Sequence, residues 1–375
     1  MNRLRTWLIG TLFVVAPAAA LAAPTVAGSW QRLPAAPIPV DSGRTSVWTG
    51  KEMLVVGRVT TLENGAAVKR VGVGAAYDPA ARTWRRLPDL GDTASFMDQS
   101  SVWTGKEMLV WGQGTREAYN PATNQWRRLP NSPLLSIHDG FGLVAWTGRD
   151  LIGWGGGCCG DAFSDGVAYR PATNRWRKIA RAPLNGSQSP VGAWTGHELI
   201  VLVGSLDPDG KPLEGARAAA YNPTTNRWRQ IAPLPSTPGG ANAVWDGREL
   251  LVVGGDPSPS ALPRDAYAYN PGTNRWRRLP QMPSGRTGAD AVWTGKRLLL
   301  WGGQTGRAGA LVTASRGLAF DPKANRWSRL PQAPLTGRVD PTAVWTGRAL
   351  LVWGGDSGNG KKHFTDGAAF RPAAL

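Results

Sequence analysis

This sequence predicts an all-β protein built as a ring of seven four-stranded sheets. Three observations carry that expectation. A Trp-Thr-Gly motif, once Trp-Asp-Gly, recurs from Trp48, Trp103, Trp146, Trp194, Trp245, Trp293 and Trp345. Its steps are 55, 43, 48, 51, 48 and 52 residues, which suits the blades of a β-propeller. No stretch holds a sustained helical hydrophobic period, and Gly-closed apolar runs too short for helices recur instead.

In chain order, residues 1–22 read as a secretory signal peptide. Arg3 and Arg5 precede an apolar run from Trp7 to Ala20, and Ala20-Leu21-Ala22 forms an A-x-A cleavage site. A membrane anchor is the weaker reading, because the run is short and contains Pro17, whereas a span needs about 20 apolar residues. No Cys stands at the cleavage site for lipid attachment, and no later segment is apolar and long enough to cross a bilayer. Cleavage before Ala23 leaves residues 23–375 as one domain and lowers the net charge from +17 to +15. The expectation is an exported monomer, periplasmic or extracellular, without a transmembrane span.

The unit from Ala289 to Pro331 shows the four strands. "ADAVWTG" is a short strand A ending in a turn, and "KRLLLWGG" is an apolar strand B closed by Gly. After a variable loop, "GLAFDP" is strand C, stopped by Asp-Pro. "KAN" turns the chain into strand D, "RWSRLP". Trp327 and Leu330 fall out of phase there, which predicts a bulge or added twist.

The chain ends define the closure. Residues 28–34, "GSWQRLP", are a strand D with no A, B or C before it. Residues 338–375 hold A, B and C and stop at "FRPAAL" without a D. The two ends are expected to complete one blade, with Trp30 taking the place of Trp327. Closure removes open sheet edges that would pair with other chains.

"LLVWGG" at 350–355, "AYNPGTNRWRRLP" at 268–280 and the Arg of "SGRTGADAVW" at 284–293 closely resemble Kelch repeats, across essentially the whole mature chain. The Gly pair departs from that pattern at Gly57-Arg58, Gly112-Gln113 and Gly204-Ser205 in blades 1, 2 and 4. The resemblance implies that the D–A and B–C loops share one face of the disc. The A–B and C–D turns on the other face are short, uniform and turn-forming, and read as scaffold. The 19 Trp, all but Trp7 fitting the repeat, are expected to fill the wedges between blades.

Long B–C loops on a rigid scaffold are where binding resides. The approach to strand A lines the channel mouth, so the candidate ligand-binding residues are Arg44, Asp98, His138, Asp139, Arg286, Asp290, Arg338 and Asp340, with Gln99, Gln188 and Asn242 beside them. Such a mixture suits a carbohydrate or another polar ligand. It also suits hydrogen-bonding of strand ends, and Arg44, Arg286 and Arg338 match the repeat's own Arg, which is often structural. The expected partner is a protein or glycan on the B–C/D–A face.

Cys158 and Cys159 are adjacent in the B–C loop of blade 3. Three readings stay open: a strained vicinal disulfide, two free thiols, or metal or redox chemistry. The pairs Arg85/Arg86, Arg127/Arg128, Arg177/Lys178 and Arg277/Arg278 follow strand-D Trp residues. They form either a solvated rim or a belt for an anionic envelope polymer or membrane surface. Arg outnumbers Lys 34 to 9, which also fits compositional bias. No nucleic-acid module is visible.

Function divides between a binding scaffold, the preferred reading, and a carbohydrate-active enzyme resembling sialic-acid mutarotase-like Kelch proteins. The enzyme would use Asp98, Asp139, Asp290 or Asp340 as acid/base and Arg286 or Arg338 on an anionic group. That resemblance implies six blades, and here the count is seven. Copper radical chemistry needs two His and a Cys-crosslinked Tyr, whereas His138, His197 and His363 are dispersed and five of six Tyr belong to strand C. No metal site or cofactor is expected.

Overall fold

The computed structural model describes residues 23–63, 66–90, 100–112, 115–134, 142–157, 161–204, 217–236, 239–255, 262–307 and 309–373. Each Trp-Thr/Asp-Gly motif closes an innermost strand. These strands are Ser42–Trp48, Ser100–Trp103, Leu143–Trp146, Val191–Trp194, Ala241–Trp245, Thr287–Trp293 and Thr342–Trp345. Each leads outward through antiparallel strands B, C and D, giving seven sheets. The innermost strands touch one another in sequence, and Thr342–Trp345 packs back on Ser42–Trp48, so the ring is closed. No helix occurs among the described residues.

Local chemistry explains the repeat letters. In blade 1, Thr49 Oγ1 accepts the Glu52 amide at 2.8 Å and donates to the Glu52 carbonyl at 3.1 Å. This stitches the A–B turn, and Gly50 supplies its φ of 94°. Where Asp246 replaces Thr, its carboxylate accepts the Arg248 and Glu249 amides at 2.7 and 2.6 Å. In the C–D turn, Asn124, Asn174, Asn226 and Asn274 all adopt φ 53°, a left-handed conformation Asn tolerates. Each accepts the hydroxyl of its blade's strand-C Tyr at 2.6 to 2.8 Å.

The strand-D Trp residues join the blades. Trp84, Trp126, Trp176, Trp228, Trp276 and Trp327 each donate the indole N–H to a carbonyl ending strand D of the preceding blade. Trp30 does the same to Pro331 at 3.0 Å. Gly28–Arg32 pairs with Gly367–Pro372, placing Trp30 opposite Phe370 as Trp327 stands opposite Phe320. The N-terminal strand therefore completes the closing blade. Before it, Val26 and Arg329 bond through their backbones, laying residues 24–26 along the edge of blade 6. The core lies in the wedges between sheets; Val55 and Tyr77 of blade 1 meet Leu351 and Trp353 of blade 7.

Two loops are more regular than expected. In blade 1, strands Met53–Glu63 and Ala66–Asp78 continue as a long hairpin beyond the blade. Val59 and Val71 pack against the core there, which draws the loop into the sheet. Blade 6 gains a fifth strand, Ala310–Thr313, paired with the prolonged strand Leu298–Arg307. The bulge expected near Leu330 is present: Arg316 pairs with Gln332, whereas Leu318 pairs with Arg329.

Candidate functional site

Two adjoining cavities open on the B–C/D–A face. The larger, about 670 Å³, is lined by Asn242, Thr287, Gln304 and Ala289. The smaller, about 470 Å³, is lined by Asp41, Arg44, Ser100 and His363. Ser189, Asp340 and Asp356 border both.

Arg44 is aimed into this mouth by an irregularity in blade 1. Ser42 pairs with Arg58 but Thr45 with Val56, so Gly43-Arg44 bulges from the strand. The Arg44 side chain is only 6% exposed, and its Nη2 lies 3.7 Å from Asp356 Oδ2. Its Nε and Nη1 have no hydrogen-bond partner. Burial lowers its pKa, and the charges of Asp356, Asp340 and Asp41 oppose that shift. Gly354 makes the approach possible: a Cβ there would stand 2.8 Å from Arg44 Cδ.

The acidic residues are held by backbone geometry. Asp340 adopts φ 46°, and its amide donates to the Gly288 carbonyl at 2.8 Å. Asp356 exchanges backbone hydrogen bonds with Val339 at 2.9 and 3.0 Å, and its Oδ1 accepts the Gly358 amide at 2.7 Å. A bridge between Asp356 and His363 folds the blade-7 B–C loop back on itself, and both residues line the smaller cavity. Asp41 accepts the Ser42 hydroxyl and the Thr60 amide.

The other predicted residues are dispersed. Arg286 is buried, with Nη1 on Ser284 and Gly285 and Nη2 on the Arg316 carbonyl. Burial pulls its pKa down to about 10. Arg338 is 1% exposed. It donates to the Thr336 and Gly354 carbonyls and to Asp366 at 2.7 Å, beneath the Phe364 ring. Neither guanidinium lines the mouth. Nor is Arg44 their equivalent in the repeat: it stands four residues before its Trp, whereas they stand seven before theirs. Arg44 therefore does not occupy the position of the repeat's own Arg. Gln188 donates to the Asp161 carbonyl, outside both linings.

Asp290 lies deep on the innermost strand. Its Oδ1 accepts the Ala291 amide at 2.8 Å and its Oδ2 the Ala343 amide of blade 7 at 2.7 Å. Burial raises its pKa to about 6 against those two hydrogen bonds, with Asp340 adding to the rise. Asp98, Gln99, His138, Asp139, Cys158 and Cys159 lie outside the described residues. Among the described residues, no group of three or more His, Cys, Asp or Glu is arranged to hold a metal ion. Sequence reasoning missed Asp41, Ser189, Gln304 and Asp356; only the placement of an acid directly after Gly354-Gly355 marked one of them.

The basic rim is partly neutralised. Arg85, Arg127, Arg229 and Arg277, each one place after a strand-D Trp, fork onto Glu52, Glu107, Glu198 and Glu249 at 2.6 to 3.0 Å. Arg86, Arg128 and Arg278, which follow three of these, and Lys178, which follows Arg177, are exposed.

The family model of the Kelch motif matches residues 239–283, which span blade 5 from the approach to strand A through strand D. The same four-strand order recurs in every blade of the ring. The chain is a seven-bladed β-propeller that carries the Kelch motif. No curated protein matches the chain. Kelch propellers are generally protein-binding scaffolds, and this one carries its preformed cavities on the loop-bearing face. No helix among the described residues is long and apolar enough to cross a membrane.

Proposed function

We propose that this Kelch propeller is an exported binding scaffold, acting in the cell envelope or outside the cell, that grips a protein ligand at its channel mouth. The pair of cavities bordered by Asp340 and Asp356 carries the reading. A polypeptide segment offers carbonyls and charged side chains. Arg44 has guanidinium N–H groups with no partner, and burial makes an unmade hydrogen bond costly. Asp340 and Asp356 supply acceptors beside it. Export rests on the leader read in residues 1–22.

A thermal-shift screen of residues 23–375 against peptides, oligosaccharides and cell-wall fragments tests the site. A ligand at 100 times its Kd stabilises by about 2.7 kcal/mol. The expected hit is a peptide, lost in Arg44→Ala and Asp356→Asn. A hit indifferent to both variants overturns the placement, and a sugar-only hit replaces the protein ligand with a glycan. N-terminal sequencing of chain recovered from the exported fraction should begin at Ala23. Intact chain confined to the cytoplasm would remove the export reading.

A further inference from the structure

The opposite face holds a second site, visible when the blades are compared with one another. In blades 1, 2, 4 and 5 the strand-D Arg forks onto a Glu of the A–B turn. Blade 3 breaks the rule twice. Its turn acid is Asp150, one methylene shorter, and the residue ending strand C is Arg170, where blades 2, 4 and 5 have Asn. Arg170 takes Asp150 bidentately, at 2.7 and 2.9 Å. Arg177, the strand-D Arg, is left 3.7 Å from Asp150. Its Nη1 donates a longer hydrogen bond to the Tyr221 hydroxyl at 3.3 Å. Blade 3 thus sets two guanidiniums against one carboxylate.

The substitution gives up local stability. Asn120, Asn222 and Asn270 cap their C–D turns by accepting backbone amides two residues on, at 2.9 Å. Arg170 cannot accept, and its turn is closed by a weaker Thr173 amide bond to the Arg170 carbonyl at 3.2 Å. Arg170 gains the Asp150 ion pair in exchange, and positions that break a local rule in this way are where function is expected.

The Arg177 guanidinium, held only by the longer contacts to Asp150 and Tyr221, faces a cavity. A groove of about 640 Å³ between blades 3 and 4 is lined by Arg149, Arg170, Arg177 and Lys178, with Trp194 and His197 on the blade-4 side. Its charge is strongly positive, with Asp150 the acid in the lining.

We propose that this groove binds an acidic peptide segment of a protein partner, with an incoming Glu carboxylate taken by Arg177. Four sister blades already show what that arginine position holds: a Glu side chain projecting from a polypeptide turn. Arg149 and Lys178 would favour further acidic residues on either side, and Trp194 offers an apolar wall to the peptide's aliphatic atoms. The site lies on the face away from the channel mouth, so it stands or falls separately from the mouth.

Fluorescence polarisation with a labelled hexapeptide of alternating Glu and Gly tests it on residues 23–375. The decisive variant is Asp150→Glu with Arg170→Asn, which restores the sister-blade set and closes the Arg177 fork from within. It should fold at least as well as wild type and bind the peptide at least 10-fold more weakly. Arg177→Lys should weaken binding similarly, because an ammonium lacks the fork. Binding should fall with salt and vanish when Glu is replaced by Gln. No saturable binding up to about 1 mM overturns the proposal, as does equal binding by the restored double variant. Capture of a uronic-acid disaccharide in place of the peptide also overturns it, by making the occupant a glycan.

Discussion

Trp30 donates its indole N–H to the Pro331 carbonyl at 3.0 Å, across 301 residues of chain. Trp327 makes the same bond to Pro280 within the continuous part of the ring, at 2.8 Å. The seam is therefore built like the other blade boundaries. It differs in depending on a short N-terminal strand.

Trp30→Ala should open the ring at this seam. The side chain packs against Phe370 and Trp301 at centroid distances of 5.2 and 6.0 Å. Trp30 is half-buried, so truncation should cost about 2–3 kcal/mol, below the about 3–5 kcal/mol of a fully buried aromatic. Urea unfolding measures it. Deleting residues 23–33 should go further and expose Gly367–Pro372 as an unpaired edge, giving soluble oligomers by light scattering. A loss below about 1 kcal/mol in Trp30→Ala would show that the seam does not hold the ring.

Arg82→Asn should stabilise the protein by about 0.5–1 kcal/mol. Arg82 occupies the C–D turn of blade 1 with φ 56°, where Asn124, Asn174, Asn226 and Asn274 stand in blades 2 to 5. Asn adopts that conformation at lower cost and offers the oxygen that strand-C Tyr hydroxyls use elsewhere. A lowered melting temperature would contradict the assignment of the turn.

Asp290 should make stability depend on pH in the acid range. Its folded pKa is raised to about 6 from 3.8, first by burial. The folded ring thus prefers the protonated acid. That contribution is complete below the unfolded value, declines as pH rises toward about 6, and is absent above it. Its size is on the order of 2–3 kcal/mol. The difference in Tm between wild type and Asp290→Asn should shift against wild type by a few degrees from pH 4 to pH 7. A constant difference would show that Asp290 titrates normally.

The ring was legible because its causes are local and repeated. Trp-Thr/Asp-Gly specifies a turn, Asn tolerates a left-handed position, and the incomplete units at residues 28–34 and 338–375 announce their own pairing. The mouth was less legible because it depends on register and on loop folding. Arg44 resembles Arg286 and Arg338 in sequence, but a bulge at Gly43-Arg44 turns it into the opening while the other two are spent on carbonyls. Asp356 reaches the site through a loop folded by backbone bridges to Val339 and His363, and no periodicity announces such bridges. Blade 3's altered ion pair was present in the letters Asp150 and Arg170. It acquires meaning only when their geometry is set beside that of the sister blades.

Site-specific photo-crosslinking in the native host tests most directly whether the channel mouth is the binding face. A photoreactive residue at Ser189 or Gln304 would sit in the lining of the mouth; at Lys51 or Lys106 it would sit on exposed A–B turns of the opposite face. A discrete crosslinked partner from the mouth positions, lost on Asp356→Asn and absent from the turn positions, is the expected result. The same adduct from Lys51 and Lys106, with none from Ser189 and Gln304, would move the binding face to the other side of the disc.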